Sequence, residues 1–153
     1  MILILHNIRS LYNVGSVFRT ADGAGVTKIY LTGITPSPLD RLGQVRTQIS
    51  KTALGATNTV AWEKKAQLLP IIKKLKKEGY QIVAVELDKN AVSYKKYRPK
   101  NRQQAFIFGN EVSGLSSATL QKADIIIEIP MDGAKESLNV SVAAGIIAYH
   151  FKK

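Results

Sequence analysis

Residues 125–151 read IIIEIPMDGAKESLNVSVAAGIIAYHF, a short apolar run, a polar loop and a longer apolar run. The run at 125–129 predicts a buried strand, and Pro130 ends it because proline cannot donate to a sheet ladder. Ser137 or Asn139 can cap the helix that follows, which is apolar nearly all round and must be covered on more than one side. A strand, a polar loop and a capped buried helix form small-molecule sites at sheet ends. An ordinary core strand and helix is the alternative.

The N-terminal part of the chain predicts a strand, a helix and a second strand. Residues 2–5 and 29–32 are apolar runs typical of buried strands. Between them Asn13 is a natural N-cap, and the apolar positions that follow recur at helical spacing up to a stop at Gly25. A βαβ unit of this kind requires parallel strands.

Hydrophobic periodicity and turn residues divide the rest of the chain into alternating elements. A turn-rich segment at 33–43 predicts an irregular loop, and a basic segment at 88–104 predicts another. The remaining predicted elements are helices at 47–54 and 63–78, strands at 80–87 and 105–108, and a short helix capped by Ser116 or Ser117. The sequence therefore predicts one α/β domain over residues 1–153, a parallel sheet with helices on both faces.

Composition narrows the class of protein. The chain has 153 residues, 45% of them hydrophobic and 22% charged, as in ordinary globular proteins. It has no cysteine and two histidines, which fits a reducing cytoplasm and makes a metal site unexpected. No apolar run approaches about 18 residues, so no membrane span is expected. The net charge of +11 favours a nucleic acid as partner, with solubility through surface lysines as the alternative.

Four predicted strands are followed by polar residues, glycine or proline, at His6, Asp88, Gly109 and Pro130. Ligands of open α/β sheets bind beyond the carboxyl ends of the strands, so a site is predicted at this edge. Glycine at 109 and 114 would let a backbone approach a ligand closely, although a simple turn also explains a glycine after a strand. Neither G-x-G-x-x-G nor G-x-x-x-x-G-K-[ST] occurs, which disfavours a dinucleotide or ATP site of the usual kind.

The first predicted helix carries an unusual glycine and an arginine. Gly15 in its first turn costs up to about 1 kcal/mol relative to alanine, which suggests that something approaches closely there. Arg19, with Arg9 upstream, could bind a phosphate near the helix N-terminus. The alternative is that Arg19 pairs with Asp22 on a solvated helix face.

Three segments resemble the motifs of one known family, and they occur in its order: NIRSLYNVGSVFRTAD at 7–22, FGNEVSGL at 108–115 and IPMDGAKESLNVSVA at 129–143. The chain is similar in these segments to the SpoU/TrmH family of RNA ribose 2′-O-methyltransferases. The resemblance implies the SPOUT α/β knot, a parallel sheet of five or six strands whose C-terminal segment threads a loop as a trefoil. It also implies S-adenosyl-L-methionine as cofactor, bound in the knotted loops, and a homodimer.

The resemblance also assigns roles to residues of this chain. The cofactor-binding residues would be Leu87, Gly109, Ile129, Ser137 and Leu138. The catalytic group would be Asn13, Arg19, Glu111, Ser137 and Asn139. In the family, the arginine of the first motif assists loss of the 2′-hydroxyl proton. Because guanidinium does not normally deprotonate in proteins, we expect Arg19 to clamp a phosphate and stabilise the developing alkoxide.

Charge alone predicts where RNA would bind, since phosphate contacts dominate affinity. The candidates are Arg9, Arg41, Arg46, Lys95, Lys96 and Arg98, with Arg102 and the lysines of the 63–78 helix in support. Tyr94 or Tyr97 could stack on an unpaired base, or else pack the loop onto the core. The sequence therefore predicts a cytoplasmic methyltransferase of tRNA or rRNA. A non-catalytic RNA-binding or assembly protein, or a small-molecule enzyme with a nucleotide cofactor, are the alternatives.

Overall fold

Seven parallel strands form one sheet in the computed structural model, which describes residues 1–100 and 103–152. The strands are β1 (Ile2–His6), β2 (Lys28–Thr32), β3 (Ala61–Lys65), β4 (Gln81–Val85), β5 (Val92–Ser93), β6 (Gln104–Phe108) and β7 (Ile125–Glu128). The helices of the same residues are α1 (Leu11–Gly23), α2 (Thr47–Ala53), α3 (Ala56–Thr59), α4 (Leu69–Lys77), α5 (Ser117–Leu120) and α6 (Val140–Phe151).

The strand order is β3-β2-β1-β6-β4-β7-β5, so the late strand β6 lies between β1 and β4. Leu3 pairs with Ile29 of β2 on one side and with Phe106 of β6 on the other. All residues of β6 are buried, as expected for a parallel strand that helices cover on both faces. The predicted α/β class is confirmed, with seven strands in place of the five or six that the resemblance implied.

Helices cover the two faces of the sheet unequally. One core cluster joins the sheet to α1, α2, α3 and α6, through side chains such as Phe18, Ile49 and Ile147. The other joins it to α4 through Ile72 and Leu75. The face that carries α1 and α6 is therefore the one on which the first and third motifs meet.

Gly15 allows α1 and α2 to pack in direct contact. A Cβ atom at this position would overlap the hydroxyl of Thr52 and the backbone carbonyl of Ile49. The Thr52 hydroxyl also donates to the carbonyl of Tyr12, at 3.0 Å. The close approach that the glycine suggests is therefore made by a neighbouring helix.

The predicted helix at 63–78 is wrong in its first part. Residues 61–65 form the edge strand β3, and the helix begins only at Leu69. Pro70 lies in the first turn of α4, the position where a missing N–H costs nothing. The sequence of β3 is rich in lysine and therefore does not predict a strand. The structure accommodates these lysines because edge strands tolerate charged side chains.

The structure decides between the two cap residues predicted for α5 and for α6, and it shows that the cap predicted for α1 is wrong. Ser10, not Asn13, caps α1, and its hydroxyl accepts the Asn13 N–H at 3.2 Å. Asn139 caps α6, accepting the Ser141 N–H at 2.8 Å, and Ser116 caps α5. Because Ser10 caps the helix, the side chain of Asn13 is left for other contacts.

The basic segment at 88–104 is partly ordered by the short strand β5. Tyr97 is buried, and its hydroxyl donates to the side-chain oxygen of Gln81 at 2.9 Å. Stacking of Tyr97 on a base is therefore wrong, and packing onto the core is confirmed. The ring of Tyr94 meets that of His150 edge-on, with centroids 5.0 Å apart. Arg102 lies outside the described residues.

Candidate functional site

The loops after β1, β6, β4 and β7 meet at one edge of the sheet because all their strands are parallel. β6 lies between β1 and β4, so the loop of the second motif stands between the first motif and the loop after β4. The third motif reaches the same edge from β7. The strand order thus gathers three segments that are far apart in the sequence.

Glu111 fastens the second motif to the first. Its carboxylate accepts the backbone N–H groups of Arg9 and Ser10, both at 3.1 Å, and the side-chain amide of Asn13 at 3.3 Å. The bonds fix the loop between β1 and α1, where the helix N-terminus leaves N–H groups without intrahelical partners. Glu111 therefore acts on the backbone that carries Arg9.

Asn13 extends this contact to the third motif. Its side-chain oxygen accepts the amide of Asn139 at 3.1 Å. The oxygen of Asn139 accepts from both the N–H and the hydroxyl of Ser141, at 2.8 and 2.7 Å. Glu111, Asn13 and Asn139, all predicted as catalytic, therefore form one hydrogen-bonded chain through three motifs.

A second brace joins the same loops through Asn110. Its amide donates to the backbone carbonyl of Asn7 at 2.8 Å, and its oxygen accepts the N–H groups of Val112 and Ser113. Asn7 itself has a left-handed backbone, with φ of 58°, and its side-chain oxygen accepts the N–H of Ile34 at 3.1 Å. Such backbone strain persists only where surrounding contacts over-determine it.

The pKa of the Glu111 carboxyl is lowered. Burial alone would raise this pKa, but the N–H groups of Arg9, of Glu111 itself and of Ser10, with the Asn13 amide, together hold it below the usual 4.5. Because the folded pKa lies below the unfolded one, the ionised form contributes stability above the unfolded value. That contribution is lost as the pH falls through the folded pKa.

Glu111→Gln should therefore change how stability depends on pH. We expect the variant to be less stable than the wild type at neutral pH, and the gap to narrow as the pH falls below about 4.5, because glutamine does not titrate. Urea unfolding at a series of pH values measures this. Glu136→Gln, at an exposed position, is the control and should keep the wild-type profile. A gap that stays constant with pH would contradict the role of the ionised carboxylate.

An apolar cleft opens beside this hydrogen-bonded chain, between the ends of β4 and β7 and the third motif. It is lined by Val85, Glu86, Leu87, Ile129, Met131, Ser137, Leu138 and Ala143. Four of the predicted cofactor-binding residues thus share one cleft, and Gly109 lines an adjoining cavity that also contains Leu138. Apolar walls with a few polar groups suit a flat heterocycle that carries a polar tail.

Glu86 lines both cavities, and the sequence does not predict it. Its carboxylate accepts the N–H groups of Leu115 at 2.7 Å and Leu87 at 3.1 Å. A Cβ at Gly114 would lie 2.5 Å from this carboxylate, and one at Gly109 would lie 2.6 Å from the backbone of Gly114. The glycines therefore serve contacts within the chain. An acidic residue directly after a buried strand is the signal that could have indicated Glu86.

The other predicted residues are not joined to this network. Arg19 is exposed on α1, and within residues 1–100 and 103–152 its side chain has no hydrogen bond or ion pair. Asp22, its alternative partner, instead accepts the Thr59 hydroxyl at 2.6 Å, so the Arg19–Asp22 pair is wrong. Ser137 is exposed at the cleft.

The basic residues predicted to bind RNA are distributed over several loops. Arg9, Arg41, Lys95, Lys96 and Arg98 are exposed, and Arg46 is half-buried. The guanidinium of Arg98 donates to the carbonyls of Lys95 and Tyr97, at 2.7 and 3.1 Å, and so also braces its own loop.

The residues that the structure describes contain no group of three or more histidine, aspartate or glutamate side chains that could hold a metal ion. None of their helices is long and apolar enough to cross a bilayer.

The sequence profile of the SpoU rRNA Methylase family matches residues 1–149. The chain belongs to the SpoU/TrmH family. Among curated members, the 23S rRNA (guanosine-2′-O-)-methyltransferase RlmB of Neisseria meningitidis serogroup B is 32% identical over 147 residues, which are 96% of this chain and 56% of the relative. This SpoU/TrmH chain thus spans little more than half the length of such relatives.

Solved structures of SpoU/TrmH proteins share the fold. An AdoMet-bound rRNA methyltransferase from Sinorhizobium meliloti is 27% identical, with a TM-score of 0.88 over 98% of this chain and 54% of that chain. A TrmH/SpoU tRNA modifying enzyme from A. aeolicus is 29% identical, with a TM-score of 0.83 over 99% of this chain and 73% of that chain. The predicted family is confirmed.

Proposed function

We propose that the protein is an S-adenosyl-L-methionine-dependent methyltransferase that modifies the ribose 2′-hydroxyl of a nucleotide in tRNA or rRNA. The observation that carries the proposal is the hydrogen-bonded chain of Glu111, Asn13 and Asn139 beside the apolar cleft. The names of the rRNA- and tRNA-modifying relatives support it. The absence of cysteine from the sequence supports a cytoplasmic location.

The cleft fits the proposed cofactor. Bound S-adenosyl-L-methionine would supply a methyl group on a positively charged sulfur. Leu87, Ile129 and Leu138 would hold the adenine between apolar side chains, and the Ser137 hydroxyl would bond a polar part of the ligand. Glu86 adds a carboxylate to the lining of the cleft. Among the described residues this carboxylate has no ion pair, so it suits a cationic ligand.

The hydrogen-bonded chain of Glu111, Asn13 and Asn139 would position the substrate. Glu111 and Asn139 fix Asn13 and the loop of Arg9, so the groups that meet the RNA are held before it binds. Fixing a hydroxyl in line with the group to be transferred can lower the barrier by several kcal/mol. In this proposal Arg19 clamps an RNA phosphate through its two-pronged guanidinium, and the 2′-hydroxyl proton leaves to phosphate or water.

We also propose that the protein is a homodimer, and that Arg19 works next to the partner. Val142 and Tyr149 of α6 are 49% and 48% exposed, and Tyr12 of α1 is 53% exposed. The two helices are neighbours, since a Cβ at Gly145 would lie 3.6 Å from Thr20. An apolar surface of this kind is typical of an interface. Sedimentation velocity should show a dimer, and Val142→Glu should shift it to monomer.

The knot of the SPOUT fold is also proposed for this chain, as part of one domain over residues 1–153. β7 pairs with β4, on the far side of β6 from β1. The segment after β7 must nevertheless return to α1, where Asn139 bonds Asn13. It therefore passes the loops that follow β4 and β6, which is the course that a threaded segment takes.

Two measurements test the proposed function. Calorimetry should detect binding of S-adenosylhomocysteine to the purified protein, with or without RNA. Labelled methyl groups from S-adenosyl-L-methionine should then enter total tRNA or rRNA, and mapping should place them on a ribose. Binding of RNA without methyl transfer would favour an assembly protein, and failure to bind the cofactor would overturn the proposal.

The exposed bases of the segment at 95–98 give a separate prediction about RNA affinity. Charge reversal at Lys95, Lys96 and Arg98 should weaken RNA binding at moderate salt by at least about tenfold, because each phosphate contact releases counterions. Reversal of Lys73 and Lys77, exposed on α4, is a separate variant that tests the lysines of this helix, the supporting candidates for RNA binding. Unchanged binding by the loop variant would remove this loop from the RNA footprint.

A further inference from the structure

Residues 38–46 form an ordered hairpin, where the sequence predicts an irregular loop. Leu39 and Val45 pair as antiparallel neighbours. The Arg46 N–H donates to the carbonyl of Pro38 at 2.9 Å, and the Asp40 N–H to that of Gln44 at 2.8 Å. The 38–46 hairpin is therefore a built element with a fixed shape.

Asp40 shapes the tip of this hairpin. Its carboxylate accepts the N–H groups of Leu42 at 2.8 Å and Gln44 at 2.9 Å, an arrangement typical of an aspartate turn. The turn holds Leu42 outward, with 83% of its surface exposed, and Val45 is 64% exposed. Single exposed apolar residues are common, but three on one hydrogen-bonded hairpin, with Leu39 38% exposed, indicate a contact surface.

The segments that flank the hairpin are fastened beside the first motif. Before it, the Ile8 N–H donates to the Thr35 hydroxyl at 3.0 Å, and the Ile34 N–H donates to Asn7. After it, Thr52 of α2 donates to Tyr12. The 38–46 hairpin therefore stands next to the loop that Glu111 clamps, at the edge of the sheet that holds the site.

The charge around the hairpin is positive. Between residues 33 and 59 the only acid is Asp40, whose carboxylate already serves the turn, and the bases are Arg41, Arg46 and Lys51. The Nε of Arg46 is buried and has no hydrogen-bond partner in the described part of the chain. Leaving a buried donor unpaired is costly, and the cost ends if the guanidinium turns to an acceptor such as a phosphate.

We propose that the 38–46 hairpin contacts an unpaired stretch of the substrate RNA. Leu42 and Val45 would pack against base faces, and Arg41 and Arg46 would meet phosphates. An unpaired stretch is required because the faces of stacked, paired bases are covered, whereas loop bases can be splayed onto a protein. The inference rests on the proposed function and names the part of the RNA that it reads.

Charge also favours RNA over a second copy of the chain as the partner of the hairpin. Two copies that met through their hairpins would bring Arg41 and Arg46 of each against those of the other, and like charges at close range repel. RNA supplies the opposite charge together with apolar base faces. The hairpin therefore matches RNA better than it matches itself.

The test compares an RNA stem-loop with a fully paired RNA of equal length, by fluorescence anisotropy at several salt concentrations. Leu42→Ala should bind the stem-loop about fivefold to tenfold more weakly and the duplex as well as the wild type does, with an unchanged salt slope. Arg41→Ala should weaken both and lower the slope by about one. Leu69→Ala, an exposed leucine on α4, is the control and should change neither.

The failures of the two proposals are distinguishable. If the wild type methylates RNA but Leu42→Ala binds the stem-loop as tightly as the wild type, the hairpin inference is overturned and the proposed function stands. If the wild type transfers no methyl group, the proposed function fails. The hairpin contact with RNA is then judged by the binding measurements alone, and it stands if Leu42→Ala loses affinity for the stem-loop. A change of association state in Leu42→Glu would assign the hairpin to contact between copies and overturn the inference. We expect the same sedimentation for the variant and the wild type.

Discussion

Arg19→Ala is expected to lower the rate of methyl transfer about 10²- to 10³-fold and to leave the stability of the fold unchanged. The side chain is exposed on α1, with no hydrogen bond or ion pair among the described residues, so its removal breaks no contact there. In the proposed mechanism, by contrast, it holds a phosphate and stabilises the charge that develops on the ribose oxygen. Single-turnover transfer, thermal unfolding and S-adenosylhomocysteine affinity, measured together, separate these effects.

Arg19→Lys distinguishes a two-pronged clamp from a simple positive charge. Lysine keeps the charge but cannot bond two oxygens in the planar geometry of guanidinium. We expect this variant to stay close to the alanine variant, and near-full rates across the pH range would contradict the clamp. Lys122→Ala, at an exposed base between α5 and β7, controls for loss of charge alone and should transfer methyl groups normally.

Gly15→Ala should destabilise the protein by about 2–3 kcal/mol. The added Cβ would overlap the Thr52 hydroxyl and the carbonyl of Ile49, and the second of these belongs to the backbone. The helices α1 and α2 must therefore move apart, and the core residues between them lose packing. Equilibrium unfolding in urea, at fixed protein concentration, measures the change.

Gly145→Ala is the matched control, because it makes the same change inside a helix. Its Cβ would meet only Thr20, at an ordinary 3.6 Å, so we expect unchanged or slightly higher stability. Combining Gly15→Ala with Thr52→Ala should restore only part of the lost stability, because the Cβ at position 15 would still overlap the carbonyl of Ile49. Equal stability of Gly15→Ala and the wild type would show that the two helices are not closely packed.

The central strands could be predicted from the sequence, and the edge strands could not. β1, β2, β6 and β7 are apolar because helices or neighbouring strands cover them, so composition alone marks them. β3 carries lysines at the edge of the sheet, and β5 has only two residues. Local sequence has little to distinguish such segments from a helix or a loop.

The edge that carries the site could also be predicted, but its contacts could not. Parallel strands place their following loops together, which was enough to expect the loops after Phe108 and Ile129 at one edge. The roles of Glu111 and Asn139 came from the family resemblance. That Glu111 bonds the backbone of Arg9 depends on β6 lying next to β1, which no local pattern states. Gly15 shows the same limit, because its helical position signals a close approach and only the fold identifies α2 as the neighbour.

The central position of β6 affects how the protein folds as it is synthesised. One side of β1 can pair with β2 once Thr32 has left the ribosome, but the other side must wait for Phe108. At a usual rate of about 5–20 residues per second, the apolar edge of β1 stays open for several seconds. An open strand edge can pair with other chains, so nascent copies are exposed to such pairing during this interval.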